Sequence, residues 1–326
     1  MNVTQSRAAA ALLLGIAVVF SAPQFAAAQI YPNRTVRIVD VFPPGGGTDV
    51  VGRVLAAKLT PVFGQPFVVE NRPGAAGTIG AESVAKSPPD GYTLFIVTSI
   101  SLGANTMYSK LPYDTLRDFA PIAKVGAAAY VLVAHPSLPV KSAKELIALA
   151  KARPGQLNYG SAGTGSSTHL AGELLKSRAG IDIVHVPYKG SAPVVIAIVS
   201  GETEFGFAAV TSALAQINSG KLRPLGVSSL QRNPAIPGVP TVAETLPGFE
   251  AVGVLGIYAP ARIPADIVGR LNVELQKAVA QPDVRERFAA AGVDPSTSSP
   301  DELGSILKSE ISKWSKVIKD AGIRAD

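Results

Sequence analysis

The chain has 326 residues, 47% of them hydrophobic and 17% charged, which is ample for one large domain or two ordinary lobes and argues against disorder over most of its length. Its formal charge of +6 is spread along the chain, with no lysine–arginine block and no basic stretch interleaved with aromatics, so no nucleic-acid partner is expected. Cysteine is absent, which removes both a disulfide framework and attachment of lipid at a cysteine.

Residues 1–28 have the layout of a secretory signal peptide: Arg7 near the start, an apolar core over 8–20, and Ala26-Ala27-Ala28 as a cleavage site before Gln29. The apolar core is too short for a comfortable membrane span, and the same holds for every later stretch. A mature chain from about Gln29, outside the cytoplasm, is expected.

The first predicted strand lies over 36–41 and runs into Val41-Phe42-Pro43-Pro44-Gly45-Gly46-Gly47-Thr48-Asp49, after which a helical pattern begins at Val50 and Val51. The prolines stiffen the turn, the glycines let the backbone approach a ligand, and Thr48 or Asp49 can cap the helix. A strand–glycine-loop–helix junction offers free amides at the positive end of a helix dipole, a natural seat for a small anion. A tight βα turn without a ligand has the same signature. Asp49 is expected to orient this loop or cap the helix rather than to act as a general base.

A short strand follows at 67–69. Next come a turn-rich loop over 70–77, a small-residue helix through Ala81 and Ala85, a turn at Pro88-Pro89-Asp90-Gly91, and a strand over 93–97. Strand and helix in alternation predict a parallel sheet with helices on its faces. The third strand runs out into a hydroxyl-bearing loop, 98–103, whose Ser99 and Ser101 either reach a ligand at the strand ends or satisfy their own backbone.

The alternation restarts near Tyr130, with a strand over 131–134 and a capping box at Ser142-Ala143-Lys144-Glu145. A second glycine–hydroxyl loop, 160–168, again leads into a helix. A strand at 183–186 meets Pro187-Tyr188-Lys189-Gly190, and a helix (194–199), a strand (204–207) and a helix (211–219) complete a second set, so two βαβ lobes are expected. Beyond a strand at 225–227, a capping box at 241–244 and an apolar run over 252–258 that returns to the first lobe, helices alone are predicted (264–280 and from Ser299 with Pro300 at its first position), packed on the first lobe's sheet.

Signatures of catalysis are missing. The loop at 160–168 departs from G-x-G-x-x-G at Thr168, and Gly220-Lys221 is followed by Leu222, so no nucleotide or other cofactor motif is present. No serine sits in G-x-S-x-G. His135, His169 and His185 have no metal-ligand spacing and read as structural.

The glycine loop at 41–49 resembles the opening signature of the Bug-type (TctC-like) receptors of tripartite tricarboxylate transport systems. Six further stretches resemble family motifs, in order: Glu70-Asn71-Arg72-Pro73-Gly74-Ala75-Ala76-Gly77, Pro89-Asp90-Gly91-Tyr92-Thr93, Leu111-Pro112-Tyr113-Asp114, Ser161-Ala162-Gly163, Ser167-Thr168-His169-Leu170-Ala171-Gly172-Glu173 and His185-Val186-Pro187-Tyr188-Lys189-Gly190-Ser191. The resemblance implies an α/β, two-lobed periplasmic binding protein (type II) fold, with lobe 1 from 29–125 and 253–326 and lobe 2 from 126–252. It also implies a monomeric receptor without catalytic activity that closes over a small organic carboxylate and hands it to membrane permease subunits. In the family the carboxylate is held mainly by backbone amides, hydroxyls and water. By position, the resemblance assigns ligand contacts to Phe42, Pro43, Gly46, Thr48, Asp49, Ser99 and Ser101 from lobe 1, and to Ser161, Gly163, Thr164, Ser166, Ser167 and Tyr188 from lobe 2.

Two departures stand out. Ala208 occupies a cleft position where the family often places an aspartate, which disfavours an aspartate or glutamate ligand and favours a less polar or aromatic acid, and Ala104-Asn105-Thr106-Met107 replaces an asparagine–proline pair before Tyr108. A secreted enzyme using Asp49 or a loop serine, and a sensor that passes its closed state to a signalling partner, are the alternatives on the same fold.

Overall fold

A computed structural model describes residues 31–324; the leader reading of residues 1–28 lies outside them. Three parallel strands open the fold, β1 (Val36–Asp40), β2 (Phe67–Asn71) and β3 (Thr93–Thr98), each followed by a helix: α1 (Gly47–Phe63), α2 (Thr78–Ala85) and α3 (Ser99–Ala104). β1 is buried on both faces, as expected of a central parallel strand. Ile38 packs with Val51, Val54 and Leu55 of α1, and Val39 and Val41 pack with Ala81 and Val84 of α2. Asp40 therefore falls on the α1 side.

The second set comprises β4 (Phe119–Ala134), α4 (Ala143–Ala152), β5 (Asn158–Ser161), α5 (Ser167–Ala179), β6 (Val184–Pro187), α6 (Ser191–Ser200), β7 (Phe205–Ala209), α7 (Val210–Asn218) and β8 (Arg223–Val227). The chain then returns through β9 (Val252–Pro260), α8 (Ala265–Ala280), α9 (Pro282–Ala290), β10 (Val293–Pro295) and α10 (Pro300–Asp320). The strand order is β2-β1-β3-β9-β4-β7-β5-β6, with β8 and β10 also paired to β4.

β4 is much longer than the four residues expected. Pro121 cannot donate to a ladder, and the pairing with β9 shifts register near Pro121 and again between Lys124 and Gly126. These irregularities hide the strand from a period-two reading. Residues 119–129 pair with β9, and residues 130–134 pair with β7 and β8, so one strand serves both halves of the sheet. Along it, β3 ends at Thr98 opposite Leu255, which pairs with Gly126, whereas β7 arrives from the other direction and ends at Ala209 opposite Tyr130. The carboxyl ends of the parallel strands in the two halves thus face each other over the middle of β4.

The C-terminal region departs from expectation: it holds a strand, β10, and a further helix, α9, beside the two expected helices. β10 pairs with residues 126–128, where a Cβ on Gly126 would meet Val293 at 2.5 Å. α10, capped by Ser299 accepting the Glu302 N–H, begins against the first half through Leu303 and Leu307. It continues with Trp314, Val317 and Ile318 in the cluster that contains Leu132, Leu170 and Phe205. Its packing reaches both halves.

Close strand packing generates a prediction. A Cβ on Gly206 would lie 2.5 Å from the carbonyl oxygen of Gly160 on β5, whereas one on Gly238 would meet nothing within 4 Å. Gly206→Ala should cost about 1–3 kcal/mol in urea unfolding, and Gly238→Ala less than about 0.5 kcal/mol.

Candidate binding cleft

The gap over β4 is framed by helix starts. β1, β2, β5, β6 and β7 each lead into a helix at their carboxyl ends, so α1 and α2 from one half and α5, α6 and α7 from the other begin there. Each first turn has amides without an intrahelical acceptor and carries partial positive charge.

The glycine loop is held from beneath. Asp40 Oδ1 accepts the Phe42 N–H at 3.0 Å, and Asn71 Nδ2 donates to the Phe42 carbonyl and to Asp49 Oδ1, both at 3.0 Å. Asp49 Oδ2 accepts the Gly45 N–H at 2.9 Å and Arg53 Nε at 3.0 Å. The cap residue of α1 is Gly46, with no side-chain bond, rather than Thr48 or Asp49. Asp49 sits in the first turn and reaches back to Gly45, whose φ of +84° suits glycine. Burial alone would raise the Asp49 pKa, but hydrogen bonds from Arg53, Gly45 and Asn71 bring it below the ordinary carboxylate range. Arg53 is consumed by this pairing. What the loop turns outward is exposed main chain at Pro43, Gly45 and Gly47, with Gly46 half-buried.

The stretch expected as a hydroxyl-bearing loop is instead the start of α3. Thr98 caps it, accepting the Ser101 N–H and lying 2.7 Å from the Ser101 hydroxyl. Ser99 is fully buried; its hydroxyl donates to Glu310 of α10 and accepts the Val254 N–H, both at 3.2 Å. These two serines are tied inward because α3 is packed between β9 and α10, a neighbourhood that local sequence does not specify.

The second loop is built the same way. Ser166 caps α5 by accepting the His169 N–H; Thr168 Oγ1 accepts the Ala162 N–H at 2.9 Å; and the Gly165 N–H donates to His169 Nδ1 at 3.1 Å. Ser161 is fully enclosed, 2.6 Å from His185 Nε2, and accepts the Gly163 N–H. Ser167 lies beside the Tyr130 hydroxyl of β4, from which a Cβ on Gly253 would be a tight 3.1 Å. Thr164 is exposed, and Gly163, with φ of +126°, is half-buried. Tyr188 turns its hydroxyl inward beside Thr203 and Glu202, so it offers the cleft no free O–H. Ala208 is fully enclosed with Val131, Val133 and Val194 rather than lining an open wall.

Two groups escaped the sequence reading. Asp40 was passed over inside an apolar run, although a lone acid in a central strand is itself a signal. Burial pushes its pKa up to about 7, assisted by the charge of Asp49 and opposed by the Phe42 N–H, the Thr48 hydroxyl and Arg53. His169 and His185, read as separate structural residues, stack with ring centroids 3.9 Å apart, beside Tyr159, whose hydroxyl donates to buried Glu173 at 2.5 Å. Burial lowers His169 to about 3, assisted by His185, and lowers His185 to about 4. Both rings are neutral near pH 7. Strand and helix registers bring them together, and neither spacing nor composition reveals that.

An α/β fold with glycine loops and helix starts facing one another from two halves is the architecture of a periplasmic binding protein. Residues 51–323 match the model of the tripartite tricarboxylate transporter family receptor, TctC. BugT of Bordetella pertussis is 38% identical over 99% of both chains. Among solved structures, Rpa4515 of R. palustris with adipate is 36% identical with a TM-score of 0.81, covering 90% of this chain and 99% of that one. The periplasmic binding protein BugD is 33% identical with a TM-score of 0.79, covering 90% and 99%. The chain belongs to the TctC family of receptors, and its fold is that of the TctC/Bug periplasmic binding proteins. Among the described residues no helix is long and apolar enough to cross a membrane.

The stacked histidines make stability pH-dependent. Their folded pKa values lie below the ordinary histidine value, so the unfolded chain takes up protons first as pH falls. The stability they contribute is present above about pH 6.5 and is lost on acidification through about 4 and 3. The thermal midpoint should fall across this window, and His185→Gln should flatten the decline, read by melting curves from about pH 7 to pH 4.

Proposed function

We propose that this chain is an extracytoplasmic solute receptor that binds a small organic carboxylate and delivers it to the membrane permease subunits of a tripartite tricarboxylate transporter. The ligand sits between two lobes, 29–125 with 253–326 and 126–252. The hinge falls where β4 changes partners at 129–130, a few residues beyond the sequence boundary. A monomer secreted to the periplasm and freed of residues 1–28 is the functional form. One observation carries this reading: helices begin at the carboxyl ends of the parallel strands in both halves, so their first-turn amides face one another, while Arg53 of α1 is already bonded to Asp49. Such amides select for an anion and close on it because the ligand touches both lobes.

The adipate held by Rpa4515, together with the family match, supports a carboxylate as the ligand class. β7 ends in Ala208 and Ala209 and supplies no acid to meet an ammonium group, which favours acids without an amino group. A receptor is preferred to an enzyme because, of the two serine–histidine pairs at 2.6 Å among the described residues, Ser161–His185 has its serine fully enclosed, and Ser137–His135 follows the end of β4 that pairs with the start of β7, away from the glycine loops. The ligand contacts are the main-chain amides of Gly46, Thr48 and Thr164, with Pro43 touching the ligand through its ring, and with Phe42, Asp49, Gly163, Ser166 and Ser167 holding those segments in place.

A panel containing adipate, succinate and malate tests this in a thermal-shift assay. A cognate acid at a hundredfold excess over its Kd should add about 2.7 kcal/mol and raise the midpoint by roughly 5–10 °C. A response confined to sugars or peptides would overturn the assignment. Gly46→Val probes the loop: a Cβ there meets only the Pro43 carbonyl oxygen, at 3.6 Å, so the fold should hold while affinity drops at least about tenfold. Unchanged affinity would remove the loop from the site.

A further inference from the structure

β1 ends beneath the glycine loop in a carboxyl group that the recognition chemistry above leaves unused. Asp40 is fully enclosed on the α1 side of the sheet, with Oδ1 taken by the Phe42 N–H and the Thr48 side chain beside the same carboxyl. Its Oδ2 is buried without a hydrogen-bond partner. An ionised oxygen in that position has lost its hydration with nothing in return, a far larger loss than that of a protonated one. The charged groups facing it come from α1 alone: Asp49, which repels it, and Arg53, already bonded to Asp49. The paired positions on β2 and β3 are Asn71 and Ile96, both uncharged, and Arg72 contributes its main-chain N–H to the Asp40 carbonyl.

Phe42 joins this carboxyl to the glycine loop, its N–H donating to Asp40 Oδ1. The Thr48 side chain lies beside the same carboxyl, while the Thr48 amide lies in the first turn of α1, where the proposed ligand carboxylate sits. A second negative charge one residue away disfavours an ionised Asp40 by like-charge repulsion across a low-dielectric gap. By reciprocity, an ionised Asp40 disfavours the ligand. Resting on the carboxylate-binding reading, we propose that Asp40 couples ligand affinity to a proton: where this carboxyl is ionised, the receptor takes up a proton there as an anionic ligand occupies the glycine loop. The proton comes from water or buffer and goes to Oδ2, and no covalent bond to the ligand forms. The raised pKa of about 7 means that the free receptor is only partly protonated near neutrality, so uptake is measurable there. Asp40 is a specificity-determining positioning residue in this scheme and touches no reacting atom.

Calorimetric titration of the mature protein with adipate tests the proposal in two buffers of different ionisation enthalpy, HEPES and Tris, between about pH 6.5 and 8.5, where adipate stays doubly ionised. The apparent enthalpy should differ between buffers by the amount that uptake of roughly half a proton requires near the Asp40 pKa. Affinity should weaken by up to about tenfold across the range. D40N keeps an acceptor for the Phe42 N–H and places N–H donors where the protonated oxygen stood. It should bind adipate with the low-pH affinity of the wild type at every pH and take up no proton. Equal enthalpies in the two buffers with a flat affinity profile would overturn the proposal, as would an unaltered slope in folded D40N. The wild-type titrations decide alone if D40N fails to fold. Binding without proton uptake sinks only the Asp40 coupling; no heat from adipate, succinate or malate at any pH, with either protein, sinks the carboxylate reading and the coupling with it.

Discussion

The two halves of this protein share β4, and their meeting along that strand governs everything else. Pairing with β9 on its first part and with β7 and β8 on its last part leaves the carboxyl ends of two parallel sheets pointing at each other. Helices that follow those strands must then begin in the gap between them. A parallel sheet places its ligand sites at the carboxyl edge of its strands; here two such edges face each other, and one ligand can engage both. Tyr130 marks the junction, beside Ser167 of α5 and close to Gly253 of β9.

The proposed recognition by amides would place its own demand on the loops, because main chain binds well only where it is already in position. Most of the polar side chains around the cleft serve this end. Asp49 and Asn71 gather the glycine loop, Ser161, Thr168 and His169 gather the hydroxyl loop, and Thr98 caps α3. The hydroxyls that resemble ligand contacts in sequence are spent on the protein. What remains outward is backbone, with Thr164 at the tip.

Buried titratable groups lie under both loops, and their roles differ. The stacked histidines are neutral and hold the second loop through Ser161 and Gly165, a rigid support whose burial keeps protons off at neutral pH. Asp40, under the first loop, has one oxygen with no partner and a pKa raised to about 7, and on it rests the proposed proton coupling. One loop is braced by groups that do not titrate in the working range, and the other by one that does.

Glycine, proline and capping residues act over a few neighbours, and for that reason the two ligand loops, the helices after them and the alternation of strand and helix were legible in the sequence. Ser142, Thr241 and Ser299 cap as expected, although Thr241 opens only a short 3-10 turn, and family membership followed from motifs spread over the chain. The length of β4, the three residues of β10 and the destinations of Ser99, Ser161, Tyr188, Ala208 and the two stacked histidines were decided only by tertiary structure. A strand broken by proline and register shifts has no clean period, and a side chain's partner across a sheet or against α10 lies far away in the chain. Local stereochemistry thus dictated where the backbone turns toward a ligand, while long-range packing determined which side chains were left free to meet it.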